Sequence, residues 1–169
     1  MNRRGDRRSG ATTLYTQEQR RRRDATVWTT VQGVLAPVQF LVFLVSLALV
    51  VRYLLTGAGL EAATISIVIK TLVLYTIMVT GAIWEKVVFG QYLCAPAFFW
   101  EDVVSFGVIA LHTLYLVALF AGWSPASQMW IALAAYAAYV INAAQFLLKL
   151  RAARLEGERM AAAGGEVAA

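Results

Sequence analysis

Cysteine is nearly absent. Cys94 stands alone among 169 residues, so the chain cannot close a disulfide on itself. It has no CxxC pair and no cysteine set for zinc. Histidine is equally scarce, with His112 the single one. One histidine argues against a bis-histidine haem but leaves a single axial ligand to magnesium or iron. No GxxxxGK[ST] and no GxGxxG occurs, so no phosphate-cradling loop is legible. Charge is thin as well. Asp, Glu, Lys and Arg make up 15% of the chain against 60% hydrophobic residues. A soluble domain of this length has no use for so much apolar surface in long blocks.

What is present is four apolar runs, Val34–Leu55, Ala62–Trp84, Ala97–Phe120 and Gln128–Leu148. Each is about as long as a helix must be to cross a bilayer, roughly 20 residues. The reading is an all-α polytopic membrane protein, a bundle of four transmembrane helices with loops too short for a second domain. It divides into a basic, partly disordered segment over 1–24, the membrane domain over 25–155 and a flexible tail over 156–169.

The net charge of +5 comes from the ends. Arg3, Arg4, Arg7, Arg8 and Arg20 to Arg23 crowd the N-terminus; Lys149, Arg151, Arg154 and Arg159 follow the last run. Thr56–Glu61 and Ala121–Ser127 carry no Lys or Arg, whereas the middle connection carries Lys86. Excess Lys and Arg marks cytoplasmic flanks, which puts both termini and the middle loop in the cytoplasm. The arginines are read as an anchor at anionic lipid rather than a nucleic-acid surface. The N-terminus is not a cleavable signal peptide, because the run after it is full-length.

Finer features follow. Tyr15–Asp24 reads as a short interfacial helix, with Thr16 and Gln19 spaced as a capping box. Met1–Ala11 reads as disordered. Gly57 with Gly59, and Gly122 with Pro125, mark the outer turns. Glu85–Ala95 reads as the longest loop, punctuated by Gly90. Pro96 suits the first turn of the third span, and the tail from Gly157 is expected to fray.

Helical spacing gathers the polar residues into faces. Eleven residues advance a helix by three turns plus about 20°, so Glu101 and His112 share a face, roughly 16 Å apart along the axis. Ser105 and Tyr115 lie near that stripe, and Asp102 points about 100° away from Glu101. Lys70, Leu74, Ile77, Gly81 and Glu85 form a stripe on the second span. Tyr139, Asn142, Gln145 and Lys149 form one on the fourth, and Gln32, Gln39 and Ser46 a weaker one on the first. Four such faces can converge inside a bundle. Glu85, Glu101 and Asp102 lie near the cytoplasmic end, and Lys70 and His112 lie deeper, at similar depths.

Ionisable residues in hydrocarbon are costly and point to function. A carboxylic acid in a partly apolar pocket can keep its proton near neutral pH and donate it. The candidate catalytic residues are Glu101, Asp102 and Glu85, with Glu101 first as general acid. The candidate binding residues are His112, Lys70, Tyr75, Tyr115, Asn142, Gln145 and Trp100. Each has a plainer reading: the carboxylates satisfy a helix dipole, Lys70 pairs with Glu61 or snorkels, and Asn142 and Gln145 act as interhelical glue. No one plain reading covers all of them on four inward faces.

Long blocks of the chain are distinctive. They are LYTQEQRRRRD over Leu14–Asp24, VQGVLAPVQFLVFLV over Val31–Val45, KTLVLYTIMVTGAIWEKVVFG over Lys70–Gly90, APAFFWEDVVS over Ala95–Ser105 and VINAAQFLLKLRAAR over Val140–Arg154. Across these blocks the sequence resembles the vinyl bacteriochlorophyllide hydratases of bacteriochlorophyll biosynthesis. The resemblance implies addition of water to the C3 vinyl group of a chlorophyllide or bacteriochlorophyllide, giving a 1-hydroxyethyl group that a separate dehydrogenase oxidises. It implies residence in the cytoplasmic or intracytoplasmic membrane of a photosynthetic bacterium, contact with membrane lipid, association with other pigment-synthesis enzymes and no nucleic-acid partner. It carries over no catalytic residue.

Such a hydration needs an acid for the terminal vinyl carbon, a base for water and negative charge near the intermediate cation. It needs no cofactor. His112 is the candidate axial ligand to the magnesium of the substrate, and no other metal site is expected. Two rivals stand beside this reading: a non-enzymatic pigment- or haem-binding protein, and a four-span transporter coupled through Lys70 and Glu101.

Overall fold

A computed structural model describes residues 14–166. The expectation of disorder over Met1–Ala11 lies outside them. Five helices follow in order: α1 Gln17–Ala25, α2 Val27–Thr56, α3 Leu60–Phe89, α4 Phe99–Phe120 and α5 Pro125–Glu166. No strand occurs among the described residues. Four of the helices are long and apolar enough to cross a membrane, over Val27–Thr56, Leu60–Phe89, Phe99–Phe120 and Pro125–Leu155.

Three of the four spans, α2, α3 and α5, outrun the apolar runs that announce them. α3 continues past Glu85 to Phe89, so the expected loop loses its first five residues to helix. Val88 packs inward on that extra turn, and the helix stops only where Gly90 takes a left-handed φ of 87°, a conformation glycine adopts freely. α4 begins later than expected, with Phe98 as its N-cap, so Pro96 precedes the helix instead of starting it. α5 stays helical beyond Gly157 to Glu166; the alanines at 161–163 favour that state. The capping box of α1 forms: Gln19 N donates to Thr16 Oγ1 and Thr16 N donates to Gln19 Oε1.

Buried positions recur at three- and four-residue steps on every span. They are Gln39, Phe43, Ser46 and Val50 on α2, and Ala63, Ile67, Lys70, Thr71 and Leu74 on α3. α4 contributes Glu101, Asp102, Ser105, Val108, His112, Tyr115 and Ala118. α5 contributes Met129, Ala132, Ala135, Tyr136, Tyr139 and Asn142. The opposite faces carry exposed apolar residues such as Leu41, Leu55, Val79 and Phe120, the surface a lipid tail accepts.

Lipid gives helices no hydrophobic reason to associate, so packing and interhelical hydrogen bonds must hold them. Small residues supply the packing: Ala63, Ala118 and Ala132 are fully buried. The hydrogen bonds are specific. Ser46 Oγ lies 2.7 Å from Ser66 Oγ and 2.5 Å from Tyr136 OH, tying α2 to α3 and α5. Gln32 Nε2 donates to Thr80 Oγ1 at 2.7 Å, and Trp84 Nε1 to Thr29 Oγ1 at 2.9 Å. Each such bond contributes about 0.6 kcal/mol. α2 packs along α3 and α4 along α5, making two hairpins that touch each other more sparingly.

Candidate active site

The end of the bundle where α3 stops and α4 starts gathers the carboxylates. Glu85 and Asp102 come from different helices and both are buried, 5% and 3% exposed. Their carboxyl groups lie within hydrogen-bonding reach of each other. A hydrogen bond between two carboxyls requires one proton between them. The connecting segment closes over the pair. Cys94 N donates to Asp102 Oδ2 at 2.6 Å, and Ala95 N donates to Glu85 Oε2 at 3.2 Å. Cys94 holds a left-handed φ of 57°, uncommon for a residue with a side chain, and this turn aims its amide.

Glu101 has a different partner. Lys149 Nζ of α5 donates to its Oε2 at 2.6 Å, and the same ammonium stands 5.0 Å from the centre of the Phe98 ring. The ion pair suits Glu101 to the role of a fixed negative charge. Ser105 Oγ donates back to Glu101 O and accepts from Asn142 Nδ2 at 2.7 Å. Asn142 Oδ1 and Gln145 Oε1 have no hydrogen-bond partner among the described residues.

Aromatic rings wall this end. Phe98, 2% exposed, lies 5.7 Å from Trp84, 5.8 Å from Phe89 and 5.9 Å from Phe146 between ring centres. Tyr15, just before α1, stacks on Phe89 at 5.7 Å.

A second buried polar layer lies deeper. Lys70 and His112 are both fully buried and meet α5 at neighbouring tyrosines. Lys70 Nζ sits 3.8 Å from the centre of the Tyr139 ring, and the His112 ring lies 6.0 Å from Tyr136. His112 Nδ1 is 2.8 Å from Val108 O. That bond makes Nδ1 the donor and leaves Nε2 with a free lone pair. His112 Nε2, Lys70 Nζ and the amide nitrogen and oxygen of Gln39 have no hydrogen-bond partner among the described residues. Buried polar atoms are nearly always satisfied, and here three helices bring several unpaired ones into one layer.

Of the sequence candidates, Glu85, Asp102 and Glu101 come together at one end, and Lys70, His112 and Tyr115 line the interior. Two stand apart. Trp100 is 68% exposed, and Tyr75 OH lies 2.7 Å from Thr113 Oγ1 at the α3–α4 seam. The sequence reading passed over the amides of Cys94 and Ala95, the hydroxyl of Tyr136 and the ring of Tyr15. Backbone amides leave no mark in a sequence. The aromatic blocks around Trp84 and Phe98 were the one available sign of the wall.

A family model described as 2-vinyl bacteriochlorophyllide hydratase matches residues 15–152. The chain belongs to the 2-vinyl bacteriochlorophyllide hydratase family. A 2-vinyl bacteriochlorophyllide hydratase of Rhodobacter capsulatus is 77% identical over 143 residues, covering 85% of this chain and 84% of the relative. One of Cereibacter sphaeroides is 75% identical over 145 residues, covering 86% and 91%. No solved structure matches the chain significantly. The family match spans all the clustered carboxylates and both polar layers.

Proposed function

We propose that this chain hydrates the vinyl group of a bacteriochlorophyllide, using the Glu85–Asp102 pair as proton donor and acceptor. The observation that carries the assignment of the site is the contact between two buried carboxyls from different helices. Membership of the hydratase family favours this reading over a passive pigment binder or a transporter.

The reaction balances on the pair. The shared proton passes to the terminal vinyl carbon and makes it a methyl group. Positive charge develops on the carbon attached to the macrocycle and spreads into the ring. The ionised Glu101, held by Lys149, stabilises that charge from nearby. Water attacks the cationic carbon and gives its proton to the pair, which returns to its starting state. The product is the 1-hydroxyethyl pigment, and no redox equivalent is consumed.

The seam between the two hairpins receives the macrocycle, with its vinyl edge at the carboxylates and its far edge toward His112, Lys70, Tyr115, Asn142 and Gln145. Lys70 and Tyr115 supply donors to oxygens on the ring, and His112 Nε2 supplies a lone pair to the magnesium at its centre. The basic end of the bundle faces the cytoplasm, in the cytoplasmic or intracytoplasmic membrane of a photosynthetic bacterium, where other pigment-synthesis enzymes exchange substrate with it. The test is direct. Membranes containing the protein are incubated with vinyl pigment in isotopically labelled water. Label in a new hydroxyethyl group, lost in Glu85→Gln, is the expected result; unchanged labelling in that variant refutes the site.

A further inference from the structure

Between α1 and the last turns of the α5 span lies a cavity of about 310 Å³, lined by Tyr15, Arg20, Arg23, Ala153 and Arg154 among others. Three guanidinium groups border one small space. Two of them have acidic neighbours: Arg23 Nη2 is 2.8 Å from Asp24 Oδ1, and Arg154 Nε is 3.0 Å from Glu158 Oε1. Both pairs are exposed, and exposed pairs are weak, so a better-placed anion can take over these arginines. Arg20 has no ion-pair partner among the described residues. The forked donors of arginine match a carboxylate two bonds at a time.

The cavity adjoins the reaction site. Tyr15, 4% exposed, lines it and lies 6.3 Å from Phe98 between ring centres. Phe98 O accepts the backbone N–H of Asp102 at 3.0 Å, and its ring carries the Lys149 ammonium that pairs with Glu101. One wall of aromatic rings thus has arginines on one side and the carboxylates on the other. The suffix of bacteriochlorophyllide denotes the unesterified pigment, whose propionate is a carboxylate. That propionate and the vinyl group project from adjacent pyrrole rings. A macrocycle whose edge between those two rings faces this end of the bundle brings the vinyl to Glu85 and Asp102 and the propionate to the same end.

Resting on the hydratase reading, we propose that the Arg20, Arg23 and Arg154 cavity binds the propionate carboxylate of the pigment and selects the free acid over its ester. The substrate then enters with its anionic arm at the membrane surface and its apolar body between the hairpins. A lipid phosphate is the competing occupant, but it would have no reason to sit beside the carboxylate pair.

The full chain in nanodiscs of phosphatidylcholine alone, free of anionic lipid, is given the free-acid pigment and its propionate methyl ester. The wild type should show a KM for the ester about tenfold or more above that for the acid, with kcat nearly unchanged. Arg20→Gln with Arg154→Gln should raise the KM of the acid to that of the ester and leave the ester unaffected. Equal KM values for acid and ester in the wild type overturn the proposal without any variant. Equal losses for both pigments, together with a response to added phosphatidylglycerol that the variant lacks, assign the cavity to lipid and overturn it too. A wild type that hydrates neither pigment refutes the hydratase reading itself and takes this proposal with it.

Discussion

Glu85 and Asp102 come within hydrogen-bonding reach of each other beneath the turn between α3 and α4, and each accepts a backbone amide from that turn, Ala95 N at 3.2 Å and Cys94 N at 2.6 Å. The turn therefore orients both carboxyls at once. In the proposed mechanism the two carboxyls share one proton. The pair should act as a unit. Glu85→Gln and Asp102→Asn should each lower kcat by about a hundredfold or more, with little change in KM. The double variant should be scarcely worse than either single one. Steady-state hydration with folded variants checks this; additive losses would mean two independent roles.

The Glu101–Lys149 ion pair should matter for charge and for stability together. Glu101→Gln removes the negative charge near the developing cation and leaves the Lys149 ammonium half-buried and unpaired. It should slow hydration and cost about 1–3 kcal/mol of stability. Lys149→Met should cost similar stability. The double variant should recover part of it, because no unpaired charge remains. Thermal unfolding and kcat on the same four proteins separate the two effects.

His112 offers Nε2 to the interior while Nδ1 is held by Val108 O. His112→Phe should weaken pigment binding more than it slows turnover of bound pigment. It should also alter the visible absorption bands of the bound pigment, which respond to an axial nitrogen. Unchanged affinity and unchanged bands would leave the histidine a packing role alone.

Cys94 reports on the carboxylates beside it. Loss of hydration raises the pKa of its thiol, and the negative charge carried by the Asp102–Glu85 pair raises it further. The thiolate is the reactive form, so alkylation near neutral pH should be slow and should rise only as pH climbs above the ordinary thiol range. Asp102→Asn should speed it by lowering that charge. Equal alkylation rates in the two proteins would mean that no charge resides on Asp102.

Four spans with arginine-rich ends predict a cytoplasmic location for both termini. A reporter active only outside the cytoplasm should stay silent when fused to either end. A signal from one end alone would require an odd number of spans.

The membrane architecture was legible in the sequence because hydrocarbon imposes a simple rule, a run of apolar residues long enough to cross it. Helical spacing likewise told which polar residues face inward, since i, i+3 and i+4 positions share a face whatever packs against them. Lys70, Glu85, His112 and Asn142 were found that way, and all are buried. Partners were not legible, because they depend on how faces on different helices are rotated and how high each helix sits. The sequence put Glu101 on the stripe of His112 and ranked it first as acid, yet α5 brings Lys149 against it. Glu85 looked like the first residue of a loop until the extra turn of α3 carried it beneath the Cys94–Ala95 segment and against Asp102. Tyr15 and the arginines of α1 lie more than a hundred residues from the α5 residues they meet around the cavity. Composition and period fix what each helix wants to bury. Which buried group meets which is set by close packing between helices, and only the assembled tertiary structure contains that information.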